Sequence, residues 1–239
     1  MGLQDKVTPA RPRVRRGNAE DAQRLRDELL AVALRLFAGG GVQALSMRAI
    51  AAELGVSAMT PYRYFADKAE LQQGLWQFTM QQLYDALDRA VAERSGARER
   101  QRAWMQTYLG FWEAHPDHFW LVNLTPAPPR QRAAKVDHSR EPVFARHLEL
   151  LRRLTVELAA EIGTDLTWAK RSEDIVFAML LGYLQALYVN RRYPWSDLGA
   201  LRDAYIEQAL CSKERCLRDG GGPAPGDAAA AAPRWDNRA

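Results

Sequence analysis

A chain of 239 residues with 47% apolar content can bury one sizeable core or two smaller ones that share it. The formal net charge of +4 is too mild to imply a nucleic-acid partner by itself, so the placement of charge matters more than its sum. Two cysteines, Cys211 and Cys216, do not share a helix face and form no CxxC pair or Cys/His group; free thiols in a reducing cytosol are expected, not a disulfide framework.

Residues 1–17 hold Lys6, Arg11, Arg13, Arg15 and Arg16 against Asp5, so this arm carries the whole-chain excess of +4. It has no apolar period and no apolar signal-peptide core, and a flexible basic arm is expected. Helical spacing then dominates the chain, with few strand-like alternations. Asn18 can cap a first helix whose apolar face is Leu25, Leu29, Val32 and Leu36, and Gly39-Gly40-Gly41 should stop it. A short helix follows from Ser46 to Leu54, a second short one from near Ser57, and a long one from about Asp67 to Glu93. Further helices are expected over Ala97 to Ala114, a short stretch opened by Pro116, Ser139 to Ile162, Thr167 to Arg191 and Ser196 to Leu217. Residues 125–138, with three prolines, read as a loop, and the Gly/Pro/Ala-rich residues 219–239 as a disordered tail. The longest apolar run, Ile175 to Val189, is interrupted by Gln185 and falls short of the roughly 20 residues a membrane span needs. The sequon Asn123-Leu124-Thr125 carries no meaning in a cytosolic protein.

The informative stretch is Ser46 to Phe65. Two short helices meet at Gly55, where a sharp turn needs a residue tolerant of positive φ. Ala51 is small enough for two helices to cross closely, Ile50, Leu54 and Val56 supply apolar contacts, and Ser46 and Ser57 are natural N-caps. That is a helix-turn-helix, whose second helix enters the DNA major groove. An Ala-x-x-x-Gly pattern alone is weak. The continuation Pro61-Tyr62-Arg63-Tyr64-Phe65-Ala66-Asp67-Lys68-Ala69-Glu70-Leu71, with Leu36-Phe37, Gly41, Leu45-Ser46 and Ile50-Ala51 before it, resembles the TetR family of bacterial transcriptional regulators over about residues 22–75.

The resemblance implies roles position by position. Ser46 and Arg48 approach phosphate or bases; Ala58, Met59, Thr60 and Arg63 face base edges; Tyr62 and Tyr64 touch the DNA backbone; Lys68 reaches a phosphate. Phe65 is expected in the core, pinning the reader to the body. Pro61 departs from the pattern, standing where an aliphatic residue is usual and removing one helical N–H. The basic arm can lie in the minor groove or along phosphates, or remain a solvated tail.

The expected fold is all-α. An N-terminal three-helix helix-turn-helix domain (18–70) joins through a long helix to a larger helical ligand-binding and dimerisation domain (71–218). In the larger domain, Trp104, Tyr108, Phe111 and Trp112 form an aromatic stripe at helical spacing. Such a stripe is core or the wall of an apolar pocket. The candidate pocket residues are these four with Phe119, Trp120, Phe144, His147, Trp168 and Phe177; Asn123, Gln106 and Gln185 are further polar candidates. The resemblance implies a homodimer through the last two long helices, and the aromatic walls suggest a small, largely apolar effector. It also implies a double-stranded DNA operator and a cytoplasmic, nucleoid-associated place of work, with no cofactor. His115 and His118 could share a metal, but Pro116 disturbs their spacing, and no metal site is expected. A helical enzyme is the weaker alternative, because no nucleophile elbow, P-loop or di-iron Glu-x-x-His pair is present. A helical ligand-binding or scaffold protein without DNA binding is the other.

Overall fold

In the computed structural model the described residues are 17–124, 142–190 and 192–220. The basic arm, the proline-rich loop at 125–138 and the tail beyond 220 lie outside them. Eight α-helices and no strands are present among the described residues: α1 (Gly17–Ala44), α2 (Met47–Leu54), α3 (Lys68–Ala92), α4 (Ala97–Ala114), α5 (Pro116–Phe119), α6 (Pro142–Ile162), α7 (Ala169–Val189) and α8 (Leu198–Asp219). A 3₁₀ turn, Pro61–Arg63, stands between α2 and α3, and one π-helical turn, Trp120–Leu124, follows α5. The chain divides into two compact units at Phe78/Thr79, within α3.

In the first unit, the helical run of α1 is interrupted at its glycines, as the sequence suggests. Helical structure resumes after a kink, because Gly40 and Gly41 leave helical geometry and Gly41 takes φ 62°, ψ −158°. Leu29, Leu30, Ala33, Phe37, Leu45, Ile50, Ala51, Phe65, Leu71 and Leu75 are buried, so α1, α2 and the start of α3 cover one small core.

The second unit is a helical bundle. Leu83 and Leu87 of α3, Met105, Leu109 and Trp112 of α4, Leu154 and Leu158 of α6, Leu180 and Leu184 of α7, and Ile206 and Leu210 of α8 are buried. Ion pairs link neighbouring helices. Arg98 bridges Glu207 (3.1 Å) and Glu214 (2.8 Å), tying α4 to α8, and Arg146 pairs with Asp85 and Asp88, tying α6 to α3. One buried polar chain crosses three helices: Lys213 Nζ donates to Thr155 Oγ1 (2.9 Å), whose hydroxyl reaches Glu173 Oε1 (2.8 Å). Burial pushes the Lys213 ammonium down to about 8, opposed by Glu173. Helix α7 meets, by length and composition, the requirement for crossing a membrane, which the apolar run alone did not.

Candidate nucleic-acid interface

The interface builds from α2 outward. Ser46 is extended and its Oγ accepts from Ala49 N–H at 3.1 Å, which starts α2 where the sequence places its cap. Gly55 ends it at φ 67°, ψ 26°, and the N–H groups of Gly55 and Val56 return to Ala52 (3.2 Å) and Ala51 (3.0 Å). Ala51 is buried at the crossing, so the turn takes the small residue the pattern requires.

The reader differs from the expected helix. Ser57 Oγ accepts only a long 3.4 Å bond, from Met59 N–H two residues on, so it is not a helix cap. Thr60 N–H closes on Ser57 O (2.8 Å), Arg63 N–H on Thr60 O (3.0 Å) and Tyr64 N–H on Pro61 O (3.0 Å). These are successive three-residue turns, and Pro61 explains them. Lacking an N–H, it cannot donate to Ser57 O four residues back, so Thr60 takes that carbonyl and the chain winds more tightly. Pro61 itself is buried at the first position of the 3₁₀ turn and leaves no carbonyl stranded there.

Three residues per turn puts Met59 and Tyr62 on one edge, and both are exposed, at 67% and 47%. Ser46, Arg48, Ala58, Arg63 and Lys68 are exposed as well, and Thr60 and Tyr64 are half-buried. Behind them Phe65 is buried with the Arg26 guanidinium 5.2 Å over its ring. Lys68 Nζ donates to Val42 O at 2.9 Å, which ties the start of α3 to the segment after the α1 kink and leaves two ammonium protons for a ligand.

Two supports of this geometry escape the motif reading. Asp67 Oδ1 accepts from Glu70 N–H (2.8 Å) while Glu70 Oε2 accepts from Ala66 N–H (2.6 Å), a reciprocal cap that the D-x-x-E spacing signals. Gly74 lies where an added Cβ would come within 2.9 Å of Phe65 and 3.2 Å of Leu30. A glycine inside a helix with no turn to explain it is the sequence trace of that close approach.

In the second unit the predicted aromatic residues divide. Trp104, Tyr108, Trp112 and Phe119 are buried. Trp104 stacks on Tyr108 (5.4 Å between centroids) and lies 5.9 Å from His147, while Trp112 meets Phe119 edge-on. Phe111 packs on Trp112, Phe144 lies 6.4 Å from His147, and Phe177, 48% exposed, meets the edge of Tyr108. Trp120 is half-buried. Trp168 stands apart from the stack, under the Arg171 guanidinium and against Gly220, where a Cβ would approach its ring to 2.5 Å. Tyr84 of α3, which the spacing argument missed, stacks face to face on His147 at 4.1 Å and 8°. Burial pushes His147 down to about 4 and Tyr108 up to about 12. His147 Nδ1, Trp104 Nε1, Gln101 Nε2 and Thr79 Oγ1 are buried with no hydrogen-bond partner among the described residues.

His115 and His118 stack at 5.0 Å, and His115 Nδ1 bonds to Phe111 O (2.8 Å); no group of three potential metal ligands exists among the described residues. Asn123 is engaged with Phe119 O (3.3 Å), Gln106 lines a small polar cleft and Gln185 is exposed. Cys211 is exposed, Cys216 buried, and both are free.

The fold and the exposed reader define a helix-turn-helix protein that is all-helical among the described residues. Residues 29–75 match the family model for bacterial regulatory proteins of the tetR family. The nucleoid occlusion factor SlmA of Vibrio vulnificus is 33% identical over 92 residues, 38% of this chain and 47% of that protein. The HTH-type transcriptional activator FasR of Mycolicibacterium smegmatis is 30% identical over 108 residues, 45% of this chain and 49% of that protein. The chain thus spans about half the length of the curated relatives it matches. A solved TetR-family putative transcriptional regulator from Vibrio parahaemolyticus superposes with TM-score 0.58 at 26% identity, covering 78% of this chain and 96% of that one. Over residues 29–75 the chain thus resembles bacterial regulatory proteins of the tetR family, and its described fold resembles that of the solved TetR-family regulator.

Proposed function

We propose that this protein is a DNA-binding transcriptional regulator. In this reading it binds a palindromic operator as a homodimer, represses from it and is released by a small, largely apolar effector. The observation that carries the DNA-binding part is the reader edge. Met59, Tyr62 and Arg63 are exposed on a turn fixed from behind by buried Pro61 and Phe65. Arg48 and Lys68 flank it with positive charge, suited to phosphates, while Arg63 suits a guanine edge.

The homodimer draws support from α7. Only 28% of its apolar window is buried within the chain, and Phe177, Ala178, Gly182, Gln185 and Val189 are exposed at helical spacing along one side. A helix apolar on nearly all sides needs a second cover, and a two-fold partner would place two readers on two half-sites. On α8 the exposed Ala200, Ala204, Gln208 and Cys211 continue such a face with small residues.

The test is fluorescence anisotropy of the purified protein on DNA flanking its own gene, across a salt series. Tight, salt-steep binding to one palindromic segment is expected, weakened by Tyr62→Ala and by Lys68→Ala, each lost phosphate contact lowering the slope by about 0.9. Absence of binding at low salt would refute the reading. Repression requires that gene deletion raise transcription from the bound promoter, and a fall would refute it.

A further inference from the structure

A cleft of about 470 Å³ opens in the second unit where the end of α4, the end of α7 and the first turn of α8 meet. That volume suits a small organic ligand. None of the ten aromatic and histidine residues that the sequence nominates for a pocket lines it. Its apolar walls are Leu187, Tyr188, Trp195 and Leu198, and its polar end is the pair Glu113–Arg202, 3.0 Å apart.

The hydrogen bonds at that end are lopsided. Glu113 is occupied on both oxygens, Oε1 accepting from Tyr183 O–H (3.2 Å) and Oε2 from Arg202 Nη1 (3.0 Å). Tyr188 O–H already donates to Trp112 O at 2.6 Å. Two donors are left over, because Trp195 Nε1 and Arg202 Nε are buried without a hydrogen-bond partner. A buried donor left unmade costs the free protein its desolvation, and a carbonyl-like acceptor brought within reach by a small turn of the Trp195 indole recovers it. A ligand that brings an acceptor therefore gains a hydrogen bond here that the free protein lacks. The charge around it argues against an anion. Glu113 is on the wall 3.0 Å from Arg202 and Asp203 lies 3.6 Å from Arg202 Nε, so two carboxylates already balance the one guanidinium.

We propose that this cleft binds an uncharged, mostly apolar molecule with a carbonyl-type acceptor at one end, its body between Tyr188, Trp195 and Leu198 and its oxygen at Trp195 and Arg202. Giving this ligand the part of the effector rests on the regulator reading above; the binding itself does not.

The probe is prodan, an uncharged naphthyl ketone whose emission shifts to the blue in apolar surroundings, titrated into the full-length protein beside the anionic naphthalene 1,8-ANS. Saturable prodan binding at one site per chain is expected. Trp195→Phe, which keeps the ring and removes the N–H, weakens it about five- to tenfold, the size of one hydrogen bond. Leu198→Trp, which fills the cleft from an exposed position, abolishes it. Prodan binding that survives Leu198→Trp, or ANS binding there more tightly than prodan, overturns the proposal. DNA anisotropy on the same preparation separates the two readings: DNA bound without prodan overturns the cleft alone, and prodan bound without DNA overturns the regulator alone.

Discussion

Acid should unfold this protein through His147 before it does so through the carboxylates. The imidazole is buried against Tyr84 and Trp104, and burial pushes its pKa down to about 4, below the ordinary 6.5. In the unfolded chain the same group titrates near its ordinary value. Between those two pH values the unfolded state binds the extra proton, so stability rises with pH across the window and is lost as pH falls through it. Linkage between an unfolded pKa of 6.5 and a folded one near 4 gives a loss of about 2 kcal/mol from pH 8 to pH 5. The full loss, reached below pH 4, is roughly 3 kcal/mol. That is a large part of the 5–15 kcal/mol a domain commonly has. The assay is urea unfolding followed by circular dichroism at pH 5, 6, 7 and 8, at one protein concentration so that self-association contributes equally throughout. His147→Phe keeps a ring on Tyr84 and cannot titrate, so its stability should change about 2 kcal/mol less than that of the parent over the same range. His118, also held low by burial and by His115, is present in both proteins and cancels. Parallel profiles, differing by less than about 0.5 kcal/mol, would refute a buried neutral His147.

The opposite end of the scale tests Lys213. Its folded pKa of about 8 lies below the ordinary 10.5, so stability should rise between pH 8 and 10.5, and Lys213→Met should flatten that rise in the same urea assay. Gly74→Ala drives a Cβ against Phe65 and Leu30, and an overpacking loss of about 1–3 kcal/mol is expected, with the reader loosened and DNA affinity reduced in anisotropy. Gly55→Ala meets no atom within 4 Å but holds φ 67°, so its loss, about 1 kcal/mol by thermal unfolding, is pure backbone strain. Met59→Ala should leave the melting temperature unchanged, because the side chain is exposed, while weakening operator binding. A drop in melting temperature would show that Met59 packs and does not read.

The N-terminal unit was legible because its signals are local. Ser46 caps and Gly55 turns within a few residues of the positions they control, and a cap or an αL glycine looks alike in any fold. The form of the reader was less legible, although its cause was visible. The missing N–H at Pro61 predicts one lost bond in a helix, whereas the chain avoids the loss by winding as 3₁₀ turns, with Thr60 N–H taking Ser57 O. Gly74 escaped because its reason is tertiary, the ring of Phe65 nine residues away in sequence.

The larger unit shows why helical spacing alone does not locate a binding site. The period that gathers Trp104, Tyr108 and Trp112 on one face is the period of core packing, and all three are buried against neighbouring rings. The cleft instead takes residues with no common period: Glu113 near the end of one helix, Tyr188 near the end of another, Trp195 from a connection and Arg202 from a second turn. What unites them is hydrogen-bond arithmetic. Both Glu113 oxygens are engaged, Arg202 Nε and Trp195 Nε1 have no hydrogen-bond partner, and no sequence pattern records such an arrangement. Helix ends converge at a cleft because their side chains are not consumed by the heptad-like contacts of the bundle interior. In a fold whose long helices pack along their lengths, the junctions of helix termini are therefore where ligand chemistry can be added without rebuilding the core.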